Sequence, residues 1–404
     1  MKRAVLVAIG DELLSGLRQE GNCCWLAGKL SRAGWNVSLI EVIPDNEEKI
    51  QATLNQWIGN SELIVMSGGL GPTHDDRTRT AIASFLGCSL EIDRKAYDEI
   101  LFRYPTDMRK NLARCSDSQG AVPVLAKAVH NPAGSALGIT FTVSGSKVFA
   151  FPGVPREFRA MAEAELAEEI RVREKTACSL YIAGWAESLL KDRLAPVIKQ
   201  TDLHISILPS PGLVEFVIRG TPERIAAAER EVRGLVPADC LPAGTRSLSE
   251  AIIIRSLQKR ITIACAESCT GGMVGMELTS VPGSSSVFLG SAVCYSNQAK
   301  KKILSIDDSL LDKYGAVSSQ CAEAMADGAR RIFEADLAVS VTGIAGPGGG
   351  SAEKPVGSVW FGVSFRGKTE AVNSIFPGDR EAVRIRSAMK ALDILRRIIA
   401  ETGE

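Results

Sequence analysis

Apolar runs that alternate with helical spacing leave the first 170 residues few folds to adopt. Ala4–Ile9, Val37–Val42 and Leu63–Ser67 read as strands, and Asn22–Ala33 and Glu47–Gly59 carry helical periodicity between them. Alternation at this spacing requires a parallel sheet with right-handed crossovers. Lys147–Phe151 is expected to be a further strand. In a doubly wound sheet, ligands bind beyond the carboxyl ends of the strands. Three of those ends carry acidic turns: Asp11-Glu12, the stretch SGGLGPTHDD at 67–76, and Pro152–Glu157. The glycine-rich turn is neither a Walker A loop nor a GxGxxG fingerprint. Its successive N–H groups are expected to form an anion nest. Carboxylates beside a phosphate nest suit a hard divalent cation, which takes one or two carboxylates plus phosphate oxygens. Each loop alone reads better as a turn with solvated acids. The three together point to a phosphate-plus-metal site, with His74 a turn residue or outer donor rather than a ligand.

The chain of 404 residues is long enough for two or three domains. Lys plus Arg equals Asp plus Glu, 47 each, which argues against broad affinity for nucleic acid or membrane. The apolar run at the N-terminus stops at Gly10-Asp11-Glu12, too early for a signal-peptide core. No stretch approaches a membrane span. Ten cysteines are scattered without a framework and read as reduced thiols of a cytoplasmic protein. Histidine occurs only at positions 74, 130 and 204, so any hydrolase built from residues 205–404 lacks a Ser/His/Asp triad and His-ligated zinc.

Residues 171–245 read as a smaller α+β unit. Thr176–Ile182 is a strand, Glu187–Ala195 a helix, His204–Leu208 and Val214–Arg219 a hairpin, and Pro222–Val236 a helix. No GXXG loop of the kind that clamps a nucleic-acid backbone is present, so a structural spacer is expected. Pro237–Arg246 reads as a linker.

In residues 246–404 the informative stretch is Ile261–Gly272, ITIACAESCTGG. Ile261–Cys265 reads as a strand that ends in a turn of one carboxylate, two hydroxyls, a thiol and two glycines, and a helix follows. Such a turn is either a capped helix start or a nucleophile beside N–H groups that stabilise an oxyanion. Ser268, Cys269 and Thr270 are all candidate nucleophiles. Without histidine the base must be another group, and a Ser–Lys arrangement is one solution. Lys300 follows the Val287–Tyr295 strand, with Asn297 read as the cap of its helix. To act near neutral pH, its pKa must be pushed well down by desolvation or a neighbouring cation. Tyr295 could orient or relay the proton. Leu337–Val341 is a buried strand leading into a glycine-rich run at 343–350, and Arg380 opens the final helix. A cation there opposes the helix dipole, a conflict that an anionic ligand or a surface ion pair would relieve.

These motifs carry a resemblance. Gly10-Asp11-Glu12-Leu13-Leu14, GGLGPTHDD, Asn131-Pro132, Gly134 and PGVPRE at 152–157 resemble the doubly wound MoaB/MogA-like domain at the start of the CinA family. The middle segment resembles that family's KH-like domain. Ala266–Gly272, Tyr295-Ser296-Asn297, Lys300, Gly343–Gly350 and Pro355-Val356-Gly357 resemble its C-terminal α/β domain, also found alone as the amidase PncC. The resemblance implies domains at 1–170, 171–245 and 246–404. It implies a metal-dependent ADP-ribose pyrophosphatase in the first. There, Gly68, Gly69, Gly71 and Thr73 would hold the diphosphate, and Asp11, Asp75, Asp76 and Glu157 would hold a Mg, Mn or Co ion. In the last it implies deamidation of nicotinamide mononucleotide without a cofactor. Ser268 would be the nucleophile, Lys300 the base and Tyr295 the relay. Thr270, Gly271 and Gly272 would surround the oxyanion, and Gly346 and Arg380 the nucleotide. A homodimer is implied, with no nucleic-acid or membrane partner. Two alternatives are a first domain that binds a nucleotide or pterin without turnover, and a competence or DNA-repair interaction protein.

Overall fold

The computed structural model describes residues 2–73, 75–171 and 177–402. His74 and the strand start expected at Thr176 lie outside the described residues. The chain divides into two compact units, residues 1–176 and 177–404.

In the first unit β1 (Arg3–Ile9), β2 (Asn36–Ile43), β3 (Leu63–Ser67), β4 (Leu90–Ile92), β5 (Ala121–Pro123), β6 (Lys127–Val129), β7 (Gly138–Val143) and β8 (Ser146–Phe151) follow in order. The main sheet runs β2-β1-β3-β8-β7-β6. Its first four strands are parallel, whereas β7 and β6 join antiparallel. Strand β1 shows why the sheet is covered on both faces. Val5, Val7 and Ile9 pack into one apolar cluster with Ile50, Leu54 and Ile82. Ala4, Leu6 and Ala8 pack into the other with Leu26, Phe158 and Met161. Alternating side chains of a strand point to opposite faces, so one continuous apolar run serves two helical layers. The helices Asn22–Arg32 and Glu47–Trp57 end one and two residues earlier than their spacing indicated. The second is capped by Asn46, whose side chain accepts from the Lys49 N–H at 2.9 Å.

The second unit contains two sheets. β9 (Ala177–Ala183), β10 (His204–Ser210) and β11 (Leu213–Arg219) form an antiparallel sheet in the order β10-β11-β9. The Glu187–Arg193 and Pro222–Leu235 helices pack on it around Leu180, Phe216, Leu190 and Ile225. β12 (Ile263–Glu267), β13 (Phe288–Val293), β14 (Leu337–Gly343), β15 (Ser358–Phe365) and β16 (Lys368–Ile375) form a five-stranded sheet ordered β13-β12-β14-β15-β16. β12 is parallel to both its neighbours. Ile263 and Cys265 face a core shared with the Leu248–Lys259 and Arg380–Glu401 helices. Ala264 and Ala266 face the layer containing the Asn297–Leu304 and Ser319–Ile332 helices. Strand β12 therefore ends two residues later than Cys265, because its pairing with β13 and β14 runs on through Glu267. The cap of the Lys300 helix is Ser296 rather than Asn297, its hydroxyl accepting from the Ala299 N–H at 3.1 Å. The cysteine side chains are thiols. No helix among the described residues is long and apolar enough to cross a membrane.

A buried ion network fastens the final helix to residues 238–239. Arg396 donates to Asp393 at 2.6 and 3.0 Å and to the Ala238 carbonyl at 2.7 Å. Arg397 bridges Asp393 at 2.9 Å and Asp239 at 2.7 Å. Burial pushes the Asp393 carboxyl up, but the charge and hydrogen bond of Arg396, with those of Arg397, outweigh it, so the net direction is down. Removing one partner of a buried pair strands the other charge. Asp393→Ala is therefore expected to cost about 3 kcal/mol or more at neutral pH, read as a lower urea midpoint. A carboxyl with a depressed native pKa stabilises above its ordinary value and loses that contribution in acid. The gap between wild type and variant should stay constant through neutral pH and narrow only below pH 3.8.

Candidate functional site

Two sites stand at strand ends, one in each unit. In the second unit, β12 delivers Glu267 into the interior, where it is fully buried. Its carboxylate accepts from the N–H groups of Gly272, Val274 and Gly275 at 2.9, 3.1 and 2.9 Å and from the Ser291 hydroxyl at 2.8 Å. The start of the Met273–Thr279 helix is thus occupied by a side chain of the protein itself. Gly271 and Gly272 adopt φ of +63° and +100°, a region costly for other residues, which lets the chain double back over that carboxylate.

The next residue is Ser268. Lys300 Nζ donates to its Oγ at 3.0 Å and to the Cys294 carbonyl at 2.9 Å. Lys300 is 1% exposed and Ser268 8%. Burial pushes the lysine pKa down, opposed by the neighbouring thiols of Cys321, Cys294 and Cys269. The geometry separates the three candidate nucleophiles. The Cys269 thiol is buried, and burial raises its pKa to about 11. Thr270 is fully buried with its hydroxyl unpartnered. Only Ser268 has the amine on its oxygen.

The N–H groups of this turn are mostly committed. Ser268 N–H donates to Val341, Gly271 N–H to the Ser268 carbonyl, and Gly272 N–H to Glu267. Those of Cys269 and Thr270 donate to no oxygen among the described residues; both lie against the Cys269 sulfur, where they oppose the rise of its pKa. Of the N–H groups expected around an oxyanion at Thr270–Gly272, those of Gly271 and Gly272 have acceptors within the protein, and that of Thr270 has no oxygen acceptor among the described residues. A backbone N–H directly after the nucleophile is a recurring element of such sites.

Tyr295 is not brought to the Ser268–Lys300 pair by any described hydrogen bond. It is 61% exposed, and its hydroxyl accepts from Arg380 Nη2 at 2.8 Å. Arg380 Nη1 donates to the Gly346 carbonyl at 2.8 Å. Arg380 thus meets two neutral acceptors and no ion-pair partner among the described residues. Arg384, one turn on, donates to the carbonyls of Cys269 and Thr270 at 3.2 and 3.1 Å. No sequence signal distinguished it from other arginines of that helix.

In the first unit a cavity of about 530 Å³ opens at the ends of β1, β3 and β8. Asp11, Gly68, Gly69, Gly71, Thr73, Asp75, Asp76 and Glu157 all line it. The glycine loop, however, is not an open nest. Gly68 N–H donates to Phe151, and Gly71 N–H is taken by Asp76 at 2.8 Å. Asp76 also accepts from the N–H and hydroxyl of Thr73 at 2.8 and 2.6 Å. Asp76 and Thr73 thereby shape the loop, leaving the Gly69 and Leu70 N–H groups without a described acceptor. Gly68 is required by close approach, since a Cβ there would lie 2.2 Å from the Ile9 carbonyl oxygen. Beneath the loop, buried Arg79 donates to the carbonyls of Leu70, Gln119, Ala121 and Leu137. Burial lowers its pKa to about 10. Glu157 accepts from Asn131 at 2.7 Å.

Asp45 also lines this cavity, and the sequence reading missed it although it follows β2 as Asp11 follows β1. It accepts from the Asp11 N–H at 3.1 Å. Burial pushes its carboxyl up, opposed by that N–H and aided by the charges of Asp11, Glu12 and Asp76. A hard cation would relieve this repulsion, so the oxygen-rich donor set fits Mg²⁺ or a similar ion. Among the described residues no three acidic, thiol or imidazole groups converge as a ready-made cage.

Residues 5–172 match the family described as a probable molybdopterin binding domain, and residues 245–399 match the CinA C-terminal domain. A CinA-like protein of Thermotoga neapolitana is 35% identical over 417 residues, with 100% of each chain covered. Another from Citrifermentans bemidjiense is 34% identical over 404 residues, covering 98% of this chain and 97% of the relative. A solved structure of the competence/damage inducible protein CihA from Agrobacterium tumefaciens is 41% identical. It covers 37% of this chain and 91% of that one, with a TM-score of 0.36.

The four bonds to Glu267 generate a graded prediction. Glu267→Gln keeps the shape but turns one acceptor oxygen into a donor facing N–H groups. It should lower the stability of the 177–404 unit by about 2–3 kcal/mol, whereas Ser291→Ala, which removes one donor, should cost about 1 kcal/mol. Urea midpoints of the two variants check the order.

Proposed function

The chain belongs to the CinA family, and on that premise we propose that its second unit hydrolyses the amide of nicotinamide mononucleotide through Ser268 and Lys300. The observation that carries this reading is the buried lysine amine 3.0 Å from the serine oxygen, in a half of the chain that has no histidine. Lys300 in its neutral form takes the Ser268 proton as Oγ attacks the amide carbon. The developing oxyanion sits between the Cys269 and Thr270 N–H groups. Lys300 returns the proton to the leaving ammonia, and the ester on Ser268 is cleaved by a water that Lys300 deprotonates in turn. Arg380 is suited to the nucleotide phosphate, since its charge has no anionic partner there. Tyr295, bound to Arg380, would orient that guanidinium rather than relay a proton. The chemistry needs no metal.

For the first unit we propose cleavage of ADP-ribose with a divalent Mg, Mn or Co ion. Asp11, Asp45, Asp75 and Glu157 would hold the ion, which would neutralise charge on the diphosphate. Asp76 and Thr73 shape the loop, and the Gly69 and Leu70 N–H groups are left to bind a phosphate oxygen. One observation favours a second reading, binding of a nucleotide or pterin without turnover: the loop's N–H groups are largely consumed internally. It predicts saturable binding and no AMP with any metal. A role as a competence or DNA-repair interaction protein, which a relative's name evokes, predicts a protein partner; zero net charge argues against direct nucleic-acid contact. A cytoplasmic homodimer is expected.

Ammonia release should proceed equally with and without EDTA and fall by at least about 10³-fold in Ser268→Ala, while AMP formation from ADP-ribose persists. Asp76→Ala should do the reverse. No ammonia from wild type overturns the amidase reading, and loss of both activities from either change in a folded protein overturns the two-site reading. Because the neutral amine is the base and burial lowers its pKa, kcat/KM should rise with pH along a limb centred below the usual lysine value of 10.5. A pH profile in which activity falls over that range would remove Lys300 as the base.

A further inference from the structure

An oxyanion site made of two backbone N–H groups works only while their peptide planes keep one orientation. The peptide that carries the Thr270 N–H also carries the Cys269 carbonyl, and in a trans peptide the two point in opposite directions. Whatever grips the Cys269 oxygen therefore aims the Thr270 N–H. Arg384 does so, with Nε on the Cys269 oxygen at 3.2 Å and Nη2 on the Thr270 oxygen at 3.1 Å. The other planes of the turn are held differently. The Ser268 oxygen receives Gly271 N–H, and the Gly272 N–H goes to Glu267. Two glycines with positive φ follow directly, so the backbone on that side offers little resistance to rotation.

The geometry points to Arg384 as the positioning residue of the oxyanion site, an assignment that rests on the amide-hydrolysis reading above. The planar fork of the guanidinium meets two successive carbonyls at once, which a lysine ammonium does not reproduce. Its described hydrogen bonds all go to these two carbonyls. A cation on the Cys269 oxygen also polarises the peptide and makes its N–H a stronger donor. Arg384 lies behind the turn and acts through it.

The full-length chain with Arg384→Met, Arg384→Ala and Arg384→Lys tests this. With nicotinamide mononucleotide as substrate, kcat of Arg384→Met should fall about 10²-fold, as expected for loss of one oxyanion donor, with KM changed by less than about twofold. The limb of the pH profile assigned to Lys300 should not move. Arg384→Lys should stay within about tenfold of Arg384→Met, and millimolar guanidinium should restore part of the Arg384→Ala rate. An unchanged kcat, or a rise in KM alone, overturns the assignment. The amide resonance of Thr270 in threonine-labelled protein gives a readout independent of turnover. It should shift and exchange faster in Arg384→Met, and an unchanged resonance overturns the positioning role. Absence of ammonia from wild type would instead overturn the amidase reading, and the Thr270 resonance would still decide what Arg384 holds.

Discussion

The buried carboxylate of Glu267 is the interaction on which the second unit's site depends. A charge withdrawn from water must be met by hydrogen bonds, and here three N–H groups and one hydroxyl supply them. Those donors come from the helix that follows β12 and from the neighbouring strand β13. One side chain thereby sets the angle at which the chain leaves the sheet. The dipole of that short helix is spent on a fixed anion of the protein. The N–H groups of Cys269 and Thr270, one turn earlier, are not claimed by that carboxylate.

The two buried groups at this turn meet different partners. Glu267 is surrounded by four hydrogen-bond donors. Lys300 has a carbonyl, a hydroxyl and thiols around it, and loss of hydration pushes it toward the neutral amine. The fold places a donor-enclosed carboxylate and an amine pushed toward its neutral form on either side of Ser268 in sequence.

The parallel strands of the first unit were legible because continuous apolar runs at fixed spacing have few other destinations, and the strand-end rule placed Asp11, the glycine turn and Glu157 around one cavity. The same rule should have yielded Asp45, which lies two residues past β2 behind a proline. The end of β12 was read early because a carboxylate is rarely fully buried, and nothing local announces that Ser291 and a helix start will enclose it. Ser296 and Asn297 are both good caps, so sequence alone could not separate them. Gly68 and Gly71 looked like ligand-binding glycines. The structure gives them other reasons to exist: a close approach to Ile9 and a turn closed by Asp76. Arg384 was invisible, because helical spacing tells which face a side chain occupies and says nothing about which carbonyls await it.

The final helix, Arg380–Glu401, has 22 residues, about 33 Å at 1.5 Å per residue. Arg384 at one end touches the serine turn. Asp393, Arg396 and Arg397, farther along, are clamped to residues 238–239 beside the small antiparallel sheet. Between Arg384 and Arg396 lies about 18 Å of continuous helix. A rod of that kind converts a tilt at one clamp into a displacement at the other. The small sheet is in this sense a mounting bracket for the serine turn, to which the helix connects it.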